Sequence, residues 1–430
     1  MIVARHLVTV PVHPLPRWLR TLLLAGPGIF CVGYTIGTGA VTKLTAAGAQ
    51  AGMQLLWVLP IGGLLFWALL EACGRYTVVT GGTVLHDFRT RLRGGRWWAL
   101  IILAGVALGQ WTGLPVLAGL VAELIYDGLR LWVPSAPIRN PEAVWGIAAV
   151  LLAGVYGLLR TGRYSLVEKT MAVIVALMMA GFTGAMLMAP PAPGMFVRGL
   201  IPSLPSGHAD ALPVLALIGT SVAAPTFLVR SLLMKAKGWG GGNLPEQRRD
   251  AGIATLVIFL LGLSVMACAA GALGQPGPAI RDVFGAIHGL EHYPGRTAAG
   301  LFLLGAVTAG LSSIIPMVMI LPLLLADYRS GDLQLHTRQF RLWTGLACVV
   351  GLAGPVLGDQ LWPVHRTASQ LAQVFVLPLA VGGIFLLLNR GDLMGGHKAG
   401  FWLNAGLFAA LGFSLVLSWL GLAAMGRRFA

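Results

Sequence analysis

Lys43 and Arg230 are the residues whose chemistry stands out, because each is a cation inside or at the edge of a long apolar stretch. Ionisable groups at membrane depth are costly and usually face a bundle interior or a water-filled cavity. Each also follows an interruption of the chain. Lys43 lies three residues beyond Ala40 in Gly37-Thr38-Gly39-Ala40, so the two share a helix face. Arg230 lies four residues beyond Thr226 in Ala223-Ala224-Pro225-Thr226. A half-helix that starts at such a point offers unpaired N–H groups that favour anions, and glycine lets a solute approach the backbone closely. The hydroxyls of Thr38, Thr42, Thr226 and Ser221 would add hydrogen bonds. This chemistry suits a small anion such as bicarbonate or a short carboxylate. A structural role for the same cations stays open. Lys43 could snorkel to the outer interface, and Arg230 could cap its helix or pair with a buried acid such as Glu71. Glu71 reads as an ion-pair partner before a proton carrier.

Nothing in the chain points to catalysis or to a cofactor. An enzyme needs nucleophile, acid and base converging at one depth, and no His-Glu-x-x-His, Gly-x-Ser-x-Gly or P-loop pattern occurs. Cys31, Cys73, Cys268 and Cys348 are scattered without a CxxC pair, which reads as ordinary buried thiols and no metal cage. His208, His288 and His292 fall in expected loops and form no ligand pattern. Gln370 and Gln373, with Ser312 and Ser313, either line a cavity or act as polar glue between helices.

The elements that must position these residues are membrane spans. The 430-residue chain is 57% hydrophobic and only 10% charged, with a mean hydropathy of +0.80, too apolar to coat a globule in water. Eleven stretches without Asp, Glu, Lys or Arg are long enough, or nearly so, to cross a bilayer: 21–42, 44–70, 97–122, 143–159, 170–197, 211–229, 251–280, 297–326, 342–358, 367–389 and 399–426. They lack the short alternating segments of an outer-membrane barrel. An all-α bundle of about 11 transmembrane helices follows. The net charge of +15 does not signal nucleic acid, because the basic residues sit in short loops between the spans. With a cytoplasmic N-terminus, twenty of the 30 Lys and Arg residues fall on the cytoplasmic side, as the positive-inside bias requires. The expected setting is the inner membrane, with the lipid bilayer and a small ionic solute as partners; a monomer is compatible. Residues 1–20, basic and holding Pro11, Pro14 and Pro16, read as a cytoplasmic segment without a signal-peptide core. Residues 21–426 read as a single transporter domain: helices 1–5 over about 21–189, helices 6–10 over about 211–389, and helix 11 over about 401–424.

Interruptions recur five spans apart. The first span holds Gly26-Pro27-Gly28 and then Gly37-Thr38-Gly39-Ala40; the sixth holds the run from Gly219 to Thr226. Broken helices at matching positions in two halves indicate an inverted-repeat transporter with its binding site at the breaks. Packing glycines and a simple proline kink would leave the same pattern.

These motifs resemble the NRAMP metal-ion transporter family. The resemblance rests on Gly26-Pro27-Gly28, the Tyr34–Gly52 stretch ending Gly48-Ala49-Gln50-Ala51-Gly52, and Leu217-Ile218-Gly219. Further support comes from Arg163-Tyr164 with Glu168, Asp250, and Ser312-Ser313. It implies a LeuT-like fold with a 5+5 inverted repeat, discontinuous helices 1 and 6, and an added eleventh helix. It also implies metal ligands in helix 1 (Asp-Pro-Gly-Asn) and helix 6 (Met-Pro-His), which this chain lacks. Gly37 stands for the aspartate, Ala40 for the asparagine and Ala223 for the methionine, and 97–122 carries none of the family's helix-3 acids. Soft metals want sulfur or imidazole and hard ones carboxylate oxygen, so the matching residues offer neither. The expectation is a divergent secondary transporter with a lost transition-metal site, carrying a small anion by alternating access. Its substrate-binding residues would be Gly37, Thr38, Gly39, Ala40, Lys43, Ala223, Ala224, Pro225, Thr226 and Arg230, with no metal ligand. The alternative is a divalent cation transporter for hydrated magnesium or manganese. A membrane sensor or enzyme ranks below both.

Overall fold

The computed structural model describes residues 26–133, 140–203, 212–273, 283–292, 295–356 and 358–429. Among these residues the regular secondary structure is helical, joined by turns and short connections. The first span is two half-helices, α1 (Pro27–Thr35) and α2 (Thr38–Ala51), separated by Ile36 and Gly37. Pro27 starts α1 because its missing N–H costs nothing in a first helical turn. Gly37 is extended at the start of α2. Then come α3 (Val58–Thr80), the short connecting helix α4 (Val84–Arg91), α5 (Gly95–Trp132), α6 (Pro141–Arg160), α7 (Tyr164–Met188) and the small α8 (Pro193–Gly199). Asn140 caps α6 by accepting from the Ala143 N–H.

The second half repeats the broken start. Helices α9 (Leu212–Ser221) and α10 (Ala224–Ala236) are separated by Val222 and Ala223, with Ala223 extended. They are followed by α11 (Leu244–Leu273), α12 (Val283–His292), α13 (Arg296–Ser330), α14 (Arg338–Gly351), α15 (Gly358–Asn389), α16 (Gly391–Met394) and α17 (Phe401–Phe429). Among the described residues, eight helices are long and apolar enough to span a membrane, with α9 and α10 joined as one. The bent pair Phe375–Asn389 and Gly391–His397 makes a ninth. The broken α1–α2 span and the 14-residue α14 fill the remaining two of the eleven expected places.

Burial orders these helices from centre to rim. The apolar window of α13 is 83% buried, whereas those of α6 and α17 are 28% and 17% buried, so α13 is the axis and the other two face lipid. One apolar core runs from Ile29 in α1 to Ala410 in α17. Small residues let backbones meet where lipid gives no hydrophobic drive for association. A Cβ on Gly181 of α7 would lie 2.7 Å from the Gly305 nitrogen of α13, and one on Gly48 of α2 would strike the Met266 carbonyl of α11.

Several boundaries differ from those drawn by charge. The apolar stretches meet at Lys43, but the chain turns at 52–57, where Gly52 takes a φ of +56°. A single lysine on a face with open space does not end a helix. Helix α5 continues past 122 to Trp132 and so carries Glu123 and Asp127. The stretch 170–197 divides between α7, which starts six residues earlier, and α8. Residues 1–20 and His208 lie outside the described residues, as do the side chains of Gln370 and Gln373.

Candidate functional site

The two breaks face each other inside the bundle. Helices α1 and α10 touch where the Cys31 thiol donates to the Thr226 carbonyl at 3.6 Å, and α2 and α9 pack together on the far side of the breaks. The first break is held in place by α13. Ser312 Oγ donates to the Gly33 carbonyl at 2.7 Å, and Ser313 Oγ reaches the Gly33 and Tyr34 carbonyls at 3.3 and 3.4 Å. These serines therefore satisfy backbone acceptors freed by the interruption, the polar-glue role. A Cβ on Gly37 would collide with Ser313 Oγ, so glycine is what permits this approach.

Around the breaks lies a set of neutral polar groups. The Gln110 amide of α5 donates to the Tyr34 hydroxyl at 2.7 Å, while its Oε1 is buried without a partner. The Thr35 and Thr226 hydroxyl oxygens are likewise buried and unpartnered. Buried polar atoms are nearly always satisfied, so three orphans at the two breaks, Thr35 and Gln110 by the first and Thr226 by the second, suggest room for a ligand or its water. No side chain caps the start of α2 or of α10. Gly39 is exposed, with open space where a Cβ would point. Gln110 and Tyr34 were missed in the sequence, although a glutamine in an otherwise apolar span was the available signal.

The expected site residues separate into two groups. Gly37, Thr38, Gly39, Ala40, Ala223, Ala224, Pro225 and Thr226 do sit at or beside the breaks, with Thr38, Ala40, Ala224, Pro225 and Thr226 buried. Lys43 is five residues beyond Thr38, about 7.5 Å along the helix. It lines a cavity of about 180 Å³ with Ala46, Ala47, Gln50, Ala51, Leu55, Pro213, Ala216 and Leu217. Among the described residues no carboxylate pairs with it.

Arg230 is elsewhere, and this corrects the expectation that it faces the solute. Its side chain is 0% exposed and forms an ion pair with Asp250 of α11 at 2.8 Å. Its other N–H groups donate to the Leu70 carbonyl at 3.1 Å and to the Gln247 carbonyl and Oε1 at 3.3 Å. Asp250 in turn accepts from the Gly28 N–H, which fastens the start of α1. Glu71 is not the partner of Arg230; it takes Arg75 at 2.8 Å, Arg248 at 3.0 Å and the Gln247 amide. Lys237 and Glu168 add a pair at 2.8 Å. A buried network thus closes the basic end of the bundle, and a charge so fully paired has none left for an anion.

Metal-ligating groups do not gather here. Among the described residues no three His, Cys, Asp or Glu side chains converge. Glu123 lies two residues from Val121, whose side chain reaches α13 at Gly310 beside Thr38. Two residues turn the helix by about 200°, so Glu123 faces away from the break. His288 and His292 lie on exposed turns of α12.

Comparison with known proteins places this geometry. A family model described as natural resistance-associated macrophage protein-like matches residues 28–424. The chain is 24% identical over 395 residues to a divalent metal cation transporter MntH of Mycobacterium tuberculosis (strain CDC 1551), covering 89% of this chain and 87% of that one. It is 26% identical over 387 residues to a protein of the same description from Klebsiella pneumoniae (strain 342), covering 87% of each. Among solved structures, a manganese transporter of Eremococcus coleocola superposes with a TM-score of 0.74 at 16% identity, covering 97% of this chain and 89% of that one. MhsT in complex with L-phenylalanine superposes with a TM-score of 0.56 at 17% identity, covering 92% and 98%. The fold is LeuT-like.

Proposed function

Since the chain belongs to the natural resistance-associated macrophage protein family, we propose that this membrane transporter carries a divalent cation together with part of its water shell. The pair of facing breaks at residues 36–37 and 222–223 carries the reading. The donors around them are the threonine hydroxyls of Thr35 and Thr226 and the amide oxygen of Gln110, each buried without a partner. Such oxygens suit a hard cation, and magnesium in particular keeps several waters and needs few protein ligands. Relatives described as divalent metal cation transporters support the same class. Among the described residues no three His, Cys, Asp or Glu side chains gather, which argues against selectivity for a transition metal.

Transport would proceed by rocking of one bundle against another around the breaks. With the N-terminus in the cytoplasm of an inner membrane, the Arg230–Asp250–Glu71 network seals the cytoplasmic end, and Gly39 and the Lys43 cavity open toward the other side. A single domain spanning 21–426 suffices for this cycle.

One observation favours a second reading. The unpaired Lys43 and the uncapped start of α2 would suit a small anion, such as bicarbonate or a short carboxylate. Flux into proteoliposomes separates the two. Uptake of magnesium or manganese, insensitive to the anion supplied, is the expected result; flux of bicarbonate or formate with no divalent uptake would replace it by the second reading.

A further inference from the structure

Asp327 lies near the end of α13 on the basic side, well away from the breaks, and is 0% exposed. Its Oδ1 accepts the Thr83 hydroxyl, and its Oδ2 is buried with no partner at all. Every other carboxylate buried to a comparable degree among the described residues is paired: Glu71 with Arg75 and Arg248, Asp87 with Arg91, Asp250 with Arg230. The surroundings of Asp327 offer no such counter-charge. From α4 come His86, whose ring meets the Asp327 backbone carbonyl at 3.2 Å, and Asp87, already held by Arg91 and the Tyr76 hydroxyl. Arg89 of the same helix donates to the Tyr328 carbonyl and stacks on the Tyr328 ring. From α10 comes Lys235, whose ammonium is taken by Asp332 at 2.7 Å and the Gly331 carbonyl at 2.8 Å. An ionised carboxylate is too costly to leave in such a place, and the cheaper state is the neutral acid.

We propose that Asp327 is a proton-binding site: it holds a proton while α4 and α10 are packed against α13 as here, and releases it to water on that side when they part. The connection runs through hydrogen bonds. Ser231 Oγ of α10 accepts from the Val84 N–H at 3.3 Å, and the adjacent Thr83 donates to Asp327 on α13. Asp327 therefore ends a chain that ties the half-helix α10 to the central helix. Losing the proton leaves a charge that only water can solvate, and water enters there only if α10 and α13 separate. The sign follows: the closed arrangement binds the proton more tightly, so acid favours closure of this end and alkali favours opening. This is independent of which ion the breaks carry.

Infrared difference spectroscopy of the full-length protein in lipid nanodiscs, titrated with pH, reads the site directly. A protonated-carboxyl C=O band should disappear as pH rises, be absent in Asp327→Asn, and persist to higher pH in Thr83→Val, which removes the hydroxyl that stabilises the anion. In a background of Cys73→Ser, Cys268→Ser and Cys348→Ser, labelling of Cys31 gives the conformational arm. The ratio of wild-type to Asp327→Asn labelling rates cancels the titration of the thiol itself. It should be near one in acid and rise several-fold in alkali. A titrating band that survives in Asp327→Asn, or a flat ratio, overturns the proposal. So does a band that follows sodium or magnesium at fixed pH, since Oδ2 would then hold a metal ion.

Discussion

Replacing Arg230 with methionine removes one member of a fully buried pair and leaves Asp250 charged, with only the Gly28 N–H beside it. Breaking a buried pair from one side costs about 3–5 kcal/mol, because the surviving ion loses its compensation. At about 1.4 kcal/mol per factor of ten, the closed arrangement would lose roughly two to nearly four powers of ten relative to states in which Asp250 meets water. The Leu70 and Gln247 acceptors lose Arg230 in both variants, so the double variant Arg230→Met/Asp250→Leu removes the stranded charge and newly leaves only the Gly28 N–H unmet. An unmade buried hydrogen bond costs about 1–3 kcal/mol. The double variant should therefore be more stable than the single one by about 2 kcal/mol, although it changes more atoms. Thermal unfolding of purified protein in detergent, with maleimide labelling of Cys31 as the readout of the α1 end, tests both. The single variant should melt lower and label faster, with partial recovery in the double. A single variant that melts and labels as wild type would refute the placement of Arg230 in this network, and would return it to the list of groups free to meet a solute.

Three further outcomes follow from the same geometry. Gly48→Val puts side-chain atoms against the Met266 carbonyl and should cost about 1–3 kcal/mol, seen as a lower melting temperature; an unchanged one would deny close packing of α2 on α11. Gly39→Ala enters open space and should melt as wild type, whereas Gly39→Phe should melt normally but abolish flux; normal flux in the phenylalanine variant would remove Gly39 from the solute path. Lys43→Gln removes the unpaired cation from the cavity wall. Divalent uptake in proteoliposomes should hold or rise, while a loss of anion flux in this variant would favour the second reading.

The sequence alone determined the architecture. Hydropathy fixed the membrane class, since a chain with so few charges cannot face water, and the Gly37 and Ala223-Ala224-Pro225 interruptions marked where two spans break. These are local properties: a run of apolar residues needs a bilayer, and a backbone with glycine, or with proline at a helix start, breaks wherever it lies. Which polar side chains meet at those breaks was not local. Arg230 and Asp250 are 20 residues apart and join because α10 and α11 both pack on α3, and Gln110 reaches Tyr34 across 76 positions. Whether a lone cation is a ligand or half of an ion pair depends on what the neighbouring helix brings to the same depth. Periodicity and composition carry no record of that: Arg230 is paired with Asp250, while Lys43 lines a cavity and, among the described residues, no carboxylate pairs with it.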